Sequence, residues 1–276
     1  MRKHDFSGKK VLITGASTGI GRALAVEFAK RGALLALCAL PKEKGLLSGL
    51  ADELKKDHGT RTTIFPADLL NPGAPDALYR AVKRKFGIPY CLVNNAGTIA
   101  YGRTWQTPVE AQMKVYRLNL EVPFCLLCRF VPDMVAEGRG VVLNVVSVAA
   151  FQPTPFHAVY GSAKAGLQML SEAMRGELAG TGVSICTLNP PYTDTGLLSV
   201  QGFPKQVRWY SLSGGLRSPA WVAKKGVRAL ERDKFLYVPG LWPSFLHLIL
   251  SRFTPRRIIN SIGYWGLQGK TEGETY

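Results

Sequence analysis

The stretch KKVLITGASTGIGRALAVEFAKRG, residues 9–32, decides the fold. KKVLITG (9–15) is a short apolar run that closes on a glycine, the pattern of a buried strand. IGRALAVEFAKRG (20–32) carries apolar residues at helical intervals and ends on a glycine, the pattern of a helix with its stop. Between them TGASTGIG (14–21) spaces Gly15, Gly19 and Gly21 as G-x-x-x-G-x-G. Glycines there let the chain turn tightly and bring backbone close to a ligand. The helix that follows aims free N–H groups and a partial positive charge at that ligand, so a pyrophosphate fits. This is the reading of a nucleotide-binding first strand–helix unit.

The same alternation continues outward. ALLALCA (33–39), TTIFPA (62–67), YCLVNNAG (90–97), GVVLNVVS (140–147), GVSICTLN (182–189) and KFLYVP (234–239) read as further strands. Residues 42–57 and 74–86, and the longer stretches 106–136, 157–180 and 219–231, read as helices. Strands apolar on both faces, alternating with helices, mean a parallel sheet covered on both sides with right-handed crossovers. The expected fold is therefore α/β, a doubly wound, Rossmann-type parallel sheet in a single domain. That domain is expected over residues 1–240, with a C-terminal helical extension over 241–276. Ligands in such sheets bind at the carboxyl ends of the strands.

Composition sets limits. Of 276 residues 46% are hydrophobic, enough for a core, and 35 basic against 19 acidic residues leave a net charge of +16. That excess attracts anions such as phosphorylated cofactors or acidic lipids. It does not by itself mean nucleic acid, and no helix-turn-helix, RNA-recognition or zinc-finger pattern is present. The five cysteines stand mostly in apolar runs, and Cys125 and Cys128 lack a second pair at zinc spacing, so no metal site is expected. An odd cysteine count and no apolar leader suit the cytoplasm.

VYGSAK (159–164) places Tyr160 one helical turn before Lys164, with only small residues between. On a helix the two share a face with room beside it. A tyrosine's ordinary pKa of about 10 is too high for a base near neutrality, and a neighbouring cation lowers it. With Ser147 closing a strand and the glycine turn upstream, the pair reads as a tuned acid/base. In RLNLEVPF (117–124), Pro123 lacks the N–H that would bond the carbonyl of Asn119, which predicts a kink with that carbonyl free.

Together TGASTGIG, NNAG (94–97), Asn119, Ser147 and the Tyr160–Lys164 pair resemble the classical short-chain dehydrogenase/reductase family over most of residues 8–200. The resemblance implies hydride transfer between a nicotinamide dinucleotide and a ketone/secondary alcohol pair. Tyr160 would exchange the proton with the carbonyl oxygen and Ser147 would orient and polarise it. Lys164 would also bond the nicotinamide ribose, and Asn119 would hold a water that relays protons from the lysine. The implied cofactor set is Gly15, Ser17, Thr18, Gly19, Ile20 and Gly21 in the turn, Ala39 and Lys42 after the second strand, and Asp68 and Leu69 near adenine. Asn95, Ala96 and Gly97 follow the fourth strand, Tyr160 and Lys164 belong to the set themselves, and Pro190, Thr193 and Thr195 complete it. One departure is Pro191, which stands where the family usually has glycine. Members often pair through the helices near 106–136 and 157–180, which implies a homo-oligomer, a dimer or tetramer.

NADP(H) is expected over NAD(H). Ala39 replaces the acid that would bond a ribose 2′-hydroxyl and repel a 2′-phosphate, while Lys42 and Lys44 can neutralise one. The lid segment 196–217 carries Gly202, Pro204, Gly214 and Gly215 and the apolar Leu197, Leu198, Phe203, Trp209 and Tyr210, which favours a lipophilic substrate of 3-oxoacyl or hydroxysteroid type. His157, three residues before Tyr160, either touches substrate or is a loop histidine without a role, and the second reading is favoured. The alternative function is a non-catalytic dinucleotide-sensing protein, which would be expected to lose Tyr160 or Lys164. In the tail, Trp242, Phe245, Leu246, Ile249, Leu250 and Phe253 form one helical stripe beside Arg252, Arg256 and Arg257. Such a stripe docks on the domain, on a second subunit or peripherally on a membrane surface, and the sequence leaves the three open.

Overall fold

Seven runs of apolar sequence pair in parallel into one sheet in the computed structural model, which describes residues 4–199, 203–204, 207–212 and 214–268. The strands are β1 Lys10–Thr14, β2 Leu34–Ala39, β3 Thr62–Pro66, β4 Cys91–Asn94, β5 Gly140–Val145, β6 Val183–Leu188 and β7 Leu236–Tyr237. Their order across the sheet is β3-β2-β1-β4-β5-β6-β7. The strand order reverses between β1 and β4, so the crevice beyond their carboxyl ends is where ligands bind in such sheets.

The helices are α1 Gly19–Ala29, α2 Lys44–His58, α3 Ala74–Lys85, α4 Val109–Tyr116, α5 Val122–Ala136, α6 Ala158–Glu177, α7 Arg208–Leu212 and α8 Pro219–Glu231. Successive strand residues point to opposite faces, and the core divides accordingly. Val11 and Ile13 pack with Leu24 and Phe28 of α1, Leu47 and Leu54 of α2 and Val227 of α8. Leu12 and Leu92 pack on the other face with Val82 of α3, Leu126 and Phe130 of α5 and Leu178 after α6. The helices thus form two layers that bury both faces of β1 and β4.

Two expected elements take a more detailed form. The helix read over 106–136 is α4 and α5 joined by a π turn over Arg117–Glu121. Pro123, second in α5, supplies the cause, because the Asn119 carbonyl has no i+4 donor and the turn widens. The last strand is short, and only Leu236 and Tyr237 pair with Thr187 and Leu188.

The tail is α9 Leu241–Ser244, a π turn over Phe245–Leu250, α10 Ser251–Phe253 and, after Pro255, α11 Arg256–Leu267. Of its apolar stripe Leu246 packs on the domain, beside Trp209 and Leu267, and the rest faces outward. Trp242, Phe245, Ile249, Leu250 and Phe253 are exposed, while Pro243 and His247 turn inward.

Two glycines test this packing in opposite directions. A Cβ on Gly21 would stand 2.0 Å from the Gly15 carbonyl oxygen, so Gly21→Ala should lower the melting temperature and abolish dinucleotide binding. Gly49 in α2 has open space around it, and Gly49→Ala should raise stability by roughly 0.5–1 kcal/mol, read by denaturant titration.

Candidate functional site

The site begins where β1 ends. Thr14 Oγ1 donates to the Val93 carbonyl at 3.3 Å and accepts from the backbone N–H groups of Asn95 and Ala96 at 3.0 and 3.1 Å. The Asn95 side-chain amide donates to the carbonyls of Thr14 and Gly15 at 2.9 and 3.0 Å. The β1 and β4 loops are therefore buckled together under the glycine turn. Gly15 has φ of +64°, the left-handed region that favours glycine, and a Cβ there would stand 2.9 Å from Ala96 Cα.

Beyond these loops lies a cleft of about 750 Å³. The glycine turn, Ala39, Asp68, Leu69, Asn95, Ala96 and Gly97 line one end. Asn119, Ser147, Tyr160 and Lys164 meet in the middle, with Pro190, Thr193 and Thr195 across from them. Two expected residues stand elsewhere. Gly21 packs behind the turn against Gly15 and Asn95. Lys42 is exposed on the one-turn helix Pro41–Glu43 and is not part of the cleft wall, whereas its neighbour Glu43 is. Glu43 Oε2 accepts a hydrogen bond from Ser17 Oγ at 2.7 Å, so an acid does stand at this end of the cleft, four residues later in the chain than Ala39.

Tyr160 is carried by α6, which starts at Ala158, and Ser147 stands two residues past the end of β5. The Ser147 hydroxyl accepts from the Ala149 N–H at 3.1 Å, which orients it. Burial pushes the Tyr160 phenol above its ordinary value of 10.0, and a hydrogen bond with Ser147 pulls it back part of the way. The expected lowering by Lys164 is not seen in the free protein. The reason lies in the lysine itself. Lys164 is buried, its Nζ donates to the Val145 carbonyl at 2.8 Å, and burial brings its pKa down to about 7. Near neutrality it is a partial cation, and its Nζ sits 5.8 Å from the centroid of the Tyr160 ring.

Asn119 is fully buried at the π turn. Its Nδ2 donates to the carbonyls of Thr98 and Val115 at 2.7 and 2.8 Å, and its Oδ1 has no partner in the protein. Beneath this level runs a buried polar chain that the sequence reading did not single out. Asn94 donates to Asn144 at 2.9 Å, and Asn144 to Ser171 at 2.8 Å, linking β4, β5 and α6.

The loop with Pro191 closes normally. Pro190 accepts from the Val148 N–H at 3.2 Å, Thr193 Oγ1 donates to the Pro191 carbonyl at 2.7 Å, and Thr193 pairs with Arg217 as a parallel bridge. The far end of the cleft is walled by Ile99, Val148, Leu197, Leu198, Phe203 and Trp209. Of the expected lid glycines, Gly202 lies outside the described residues, while Gly214 and Gly215 have φ of +89° and +83°.

His157 takes the place that the sequence reading had as the less favoured alternative. It is buried, lines the cleft, and its ring centroid lies 6.1 Å from that of Tyr160. Its Nδ1 has no hydrogen-bond partner, and burial drives its pKa to about 4. The available signal was its spacing, three residues before Tyr160 at the start of the same helix. Among the described residues no group of His, Cys, Asp and Glu could hold a metal.

This geometry has close parallels. The family model described as short chain dehydrogenase matches residues 9–202. The chain belongs to that family. It is an oxidoreductase that works with a nicotinamide dinucleotide, and the reductases among its relatives agree. A short chain dehydrogenase of Pseudocercospora fijiensis is 33% identical over 67% of this chain, which spans 60% of that protein's length. The ketoacyl reductase HetN of Nostoc is 31% identical over 82% of this chain and 76% of its own. A short-chain dehydrogenase from Sphingobium yanoikuyae, solved with NADPH, superposes with a TM-score of 0.77 at 28% identity, covering 84% of this chain and 88% of that one.

Buried His157, like His247, contributes to an acid limb on the stability of this short-chain dehydrogenase. Between pH about 4 and 6.5 the unfolded chain holds a proton on His157 that the folded protein excludes, so stability is lost as pH falls through that window. His157→Phe removes that share of the loss. The melting-temperature difference between variant and wild type should be more positive at pH 5 than at pH 7.5, and a difference independent of pH would refute the assignment.

Proposed function

We propose that this dehydrogenase interconverts a lipophilic ketone and its secondary alcohol with NADP(H), with Tyr160 as the proton donor and acceptor. The observation that carries the reading is one continuous cleft. A glycine turn without room for a Cβ at Gly21 lies at one end, Ser147, Tyr160 and Lys164 meet in the middle, and an apolar wall closes the other end.

The residues suit a dinucleotide. The turn backbone and the α1 N-terminus would hold its pyrophosphate, Asp68 and Leu69 would flank the adenine, and Thr193 and Thr195 would meet the carboxamide. When bound, the nicotinamide supplies or accepts the hydride. Lys164 stands to hold the nicotinamide ribose, and the orphan Oδ1 of Asn119 is an acceptor suited to an ordered water in a proton relay. Tyr160 gives its proton to the carbonyl oxygen in reduction and takes one from the hydroxyl in oxidation, while the backbone-oriented Ser147 hydroxyl positions that oxygen. A phenol raised by burial favours the protonated, donating form, which suits the reducing direction.

Preference for NADP(H) rests on electrostatics. Ala39 ends β2 without charge, and Lys42 and Lys44 stand beside Glu43, the acid that Ser17 holds. The lipophilic substrate rests on Leu197, Leu198, Phe203 and Trp209, and the ketoacyl relative accords with a 3-oxoacyl type. A homo-oligomer accords with exposed Met113 and Tyr116 on α4, Phe124 on α5 and Met169 on α6, the helices expected to pair. The buried free thiols Cys38, Cys91 and Cys186 suit the reducing cytoplasm.

A fluorescence titration should give tighter binding of NADPH than of NADH. Glu43→Gln should widen that gap, since a 2′-phosphate no longer meets a carboxylate; a preference for NADH would overturn the cofactor reading and leave the enzyme class intact. Tyr160→Phe should keep cofactor affinity and lose turnover by roughly 10²-fold or more. Normal turnover in that variant would refute the assignment of the acid/base.

A further inference from the structure

The tail concentrates what a soluble surface avoids. Of the 19 large apolar side chains exposed among the described residues, 10 fall between Leu241 and Trp265. Phe253 is 79% exposed, and Trp242, Phe245, Ile249, Ile262 and Trp265 are each between 42% and 51%. Scattered exposed apolar groups are ordinary, but a contiguous aromatic and aliphatic face marks an interaction surface.

The opposite side of the tail is firmly seated, so the face is not a misplaced core. His247 is buried, and its Nδ1 meets Gln152 Oε1 at 3.0 Å. Gly263 lies where a Cβ would be 3.3 Å from the Pro153 carbonyl oxygen, and a Cβ on Gly266 would strike the Trp209 ring at 2.5 Å. The glycines let α11 press onto α7 and the loop before α6, leaving its apolar face outward.

Charge identifies the occupant. Arg252, Arg256 and Arg257 are exposed at the elbow between α10 and α11, and none pairs with a carboxylate of the described residues. No Asp or Glu occurs in the sequence between Asp233 and Glu272. A second copy meeting this face with its own would therefore bring these arginines no carboxylate. Aromatic side chains that reach into the headgroup boundary, with arginines beside them, suit an anionic bilayer. No helix among the described residues is long and apolar enough to cross a membrane, so the contact lies in the interface plane.

We propose that the outward face of the tail, from Trp242 to Trp265, is a docking surface for a bilayer rich in anionic lipid. The surface also serves the active site. Trp209 lines the cleft and packs against Gly266 of α11, and Tyr101 Oη donates to the Leu267 carbonyl at 2.6 Å. The tail therefore lies over the lid, and a docked molecule holds its lid side toward the bilayer that dissolves an apolar substrate. This use of the surface rests on the lipophilic-substrate reading; vesicle binding needs no turnover, so the two fail separately.

The test is flotation of the full chain with phosphatidylcholine vesicles, with and without phosphatidylglycerol. Binding should require phosphatidylglycerol, fall as salt rises and shift tryptophan emission to the blue. Arg256→Ala and Arg257→Ala should each weaken partitioning roughly fivefold. Phe253→Ser should weaken it roughly tenfold. All three positions are exposed, and an unchanged melting temperature shows that the variants fold. Failure to float with phosphatidylglycerol vesicles overturns the proposal. So does dissociation of an oligomer by Phe253→Ser in sedimentation, which would give the face to a second copy.

Discussion

The side-chain amide of Asn95 holds the carbonyls of Thr14 and Gly15, and the rest of the site depends on that clasp. It fixes where the first strand releases the chain and how far the β4 loop may stand from it. Gly21 completes the constraint from the other side, because α1 comes so near that a methyl group would meet the Gly15 carbonyl. Open backbone N–H groups at the start of α1 face the cleft only because these three segments are locked at one distance. Thr14 Oγ1, with its three bonds, carries the same function inside the clasp.

A second frame positions the reacting groups. The Asn94–Asn144–Ser171 chain ties the ends of β4 and β5 to α6, the helix that carries Tyr160 and Lys164. Buried polar chains of this kind are costly if left incomplete and directional when complete. Lys164 uses a backbone carbonyl where a carboxylate would otherwise keep it fully charged. The site in the free protein is therefore tuned by burial more than by charge, and the phenol and the ammonium both move toward their neutral forms.

The fold was legible in the sequence because strands apolar on both faces and helices with one apolar stripe leave few ways to pair. All seven strands could be read, and so could the kink at Asn119, since Pro123 removes a named donor. The central residues were legible through spacing, as with Tyr160 and Lys164 one turn apart. What escaped were features decided by three-dimensional neighbours. Glu43 meets Ser17 across 26 positions, and nothing local distinguishes it from Lys42 beside it. His157 looks like an exposed loop residue until Tyr101 and Phe203 stack around it. The effect of Lys164 on the phenol was misjudged because sequence gives proximity but not burial.

The bridge between Thr193 and Arg217 has a consequence for how such a molecule changes over time. Backbone bonds from Asp194 to Arg217 and from Arg217 to Tyr192 pin both ends of the intervening segment at one spot beside the cleft. For a loop whose ends are already fixed, doubling its length adds only about 0.6 kcal/mol of closure entropy. Lineages can therefore lengthen, shorten or rewrite the segment over the apolar wall at little cost to folding, while the clasp and the reacting groups stay in register. Substrate choice can drift on an unchanged chemical core.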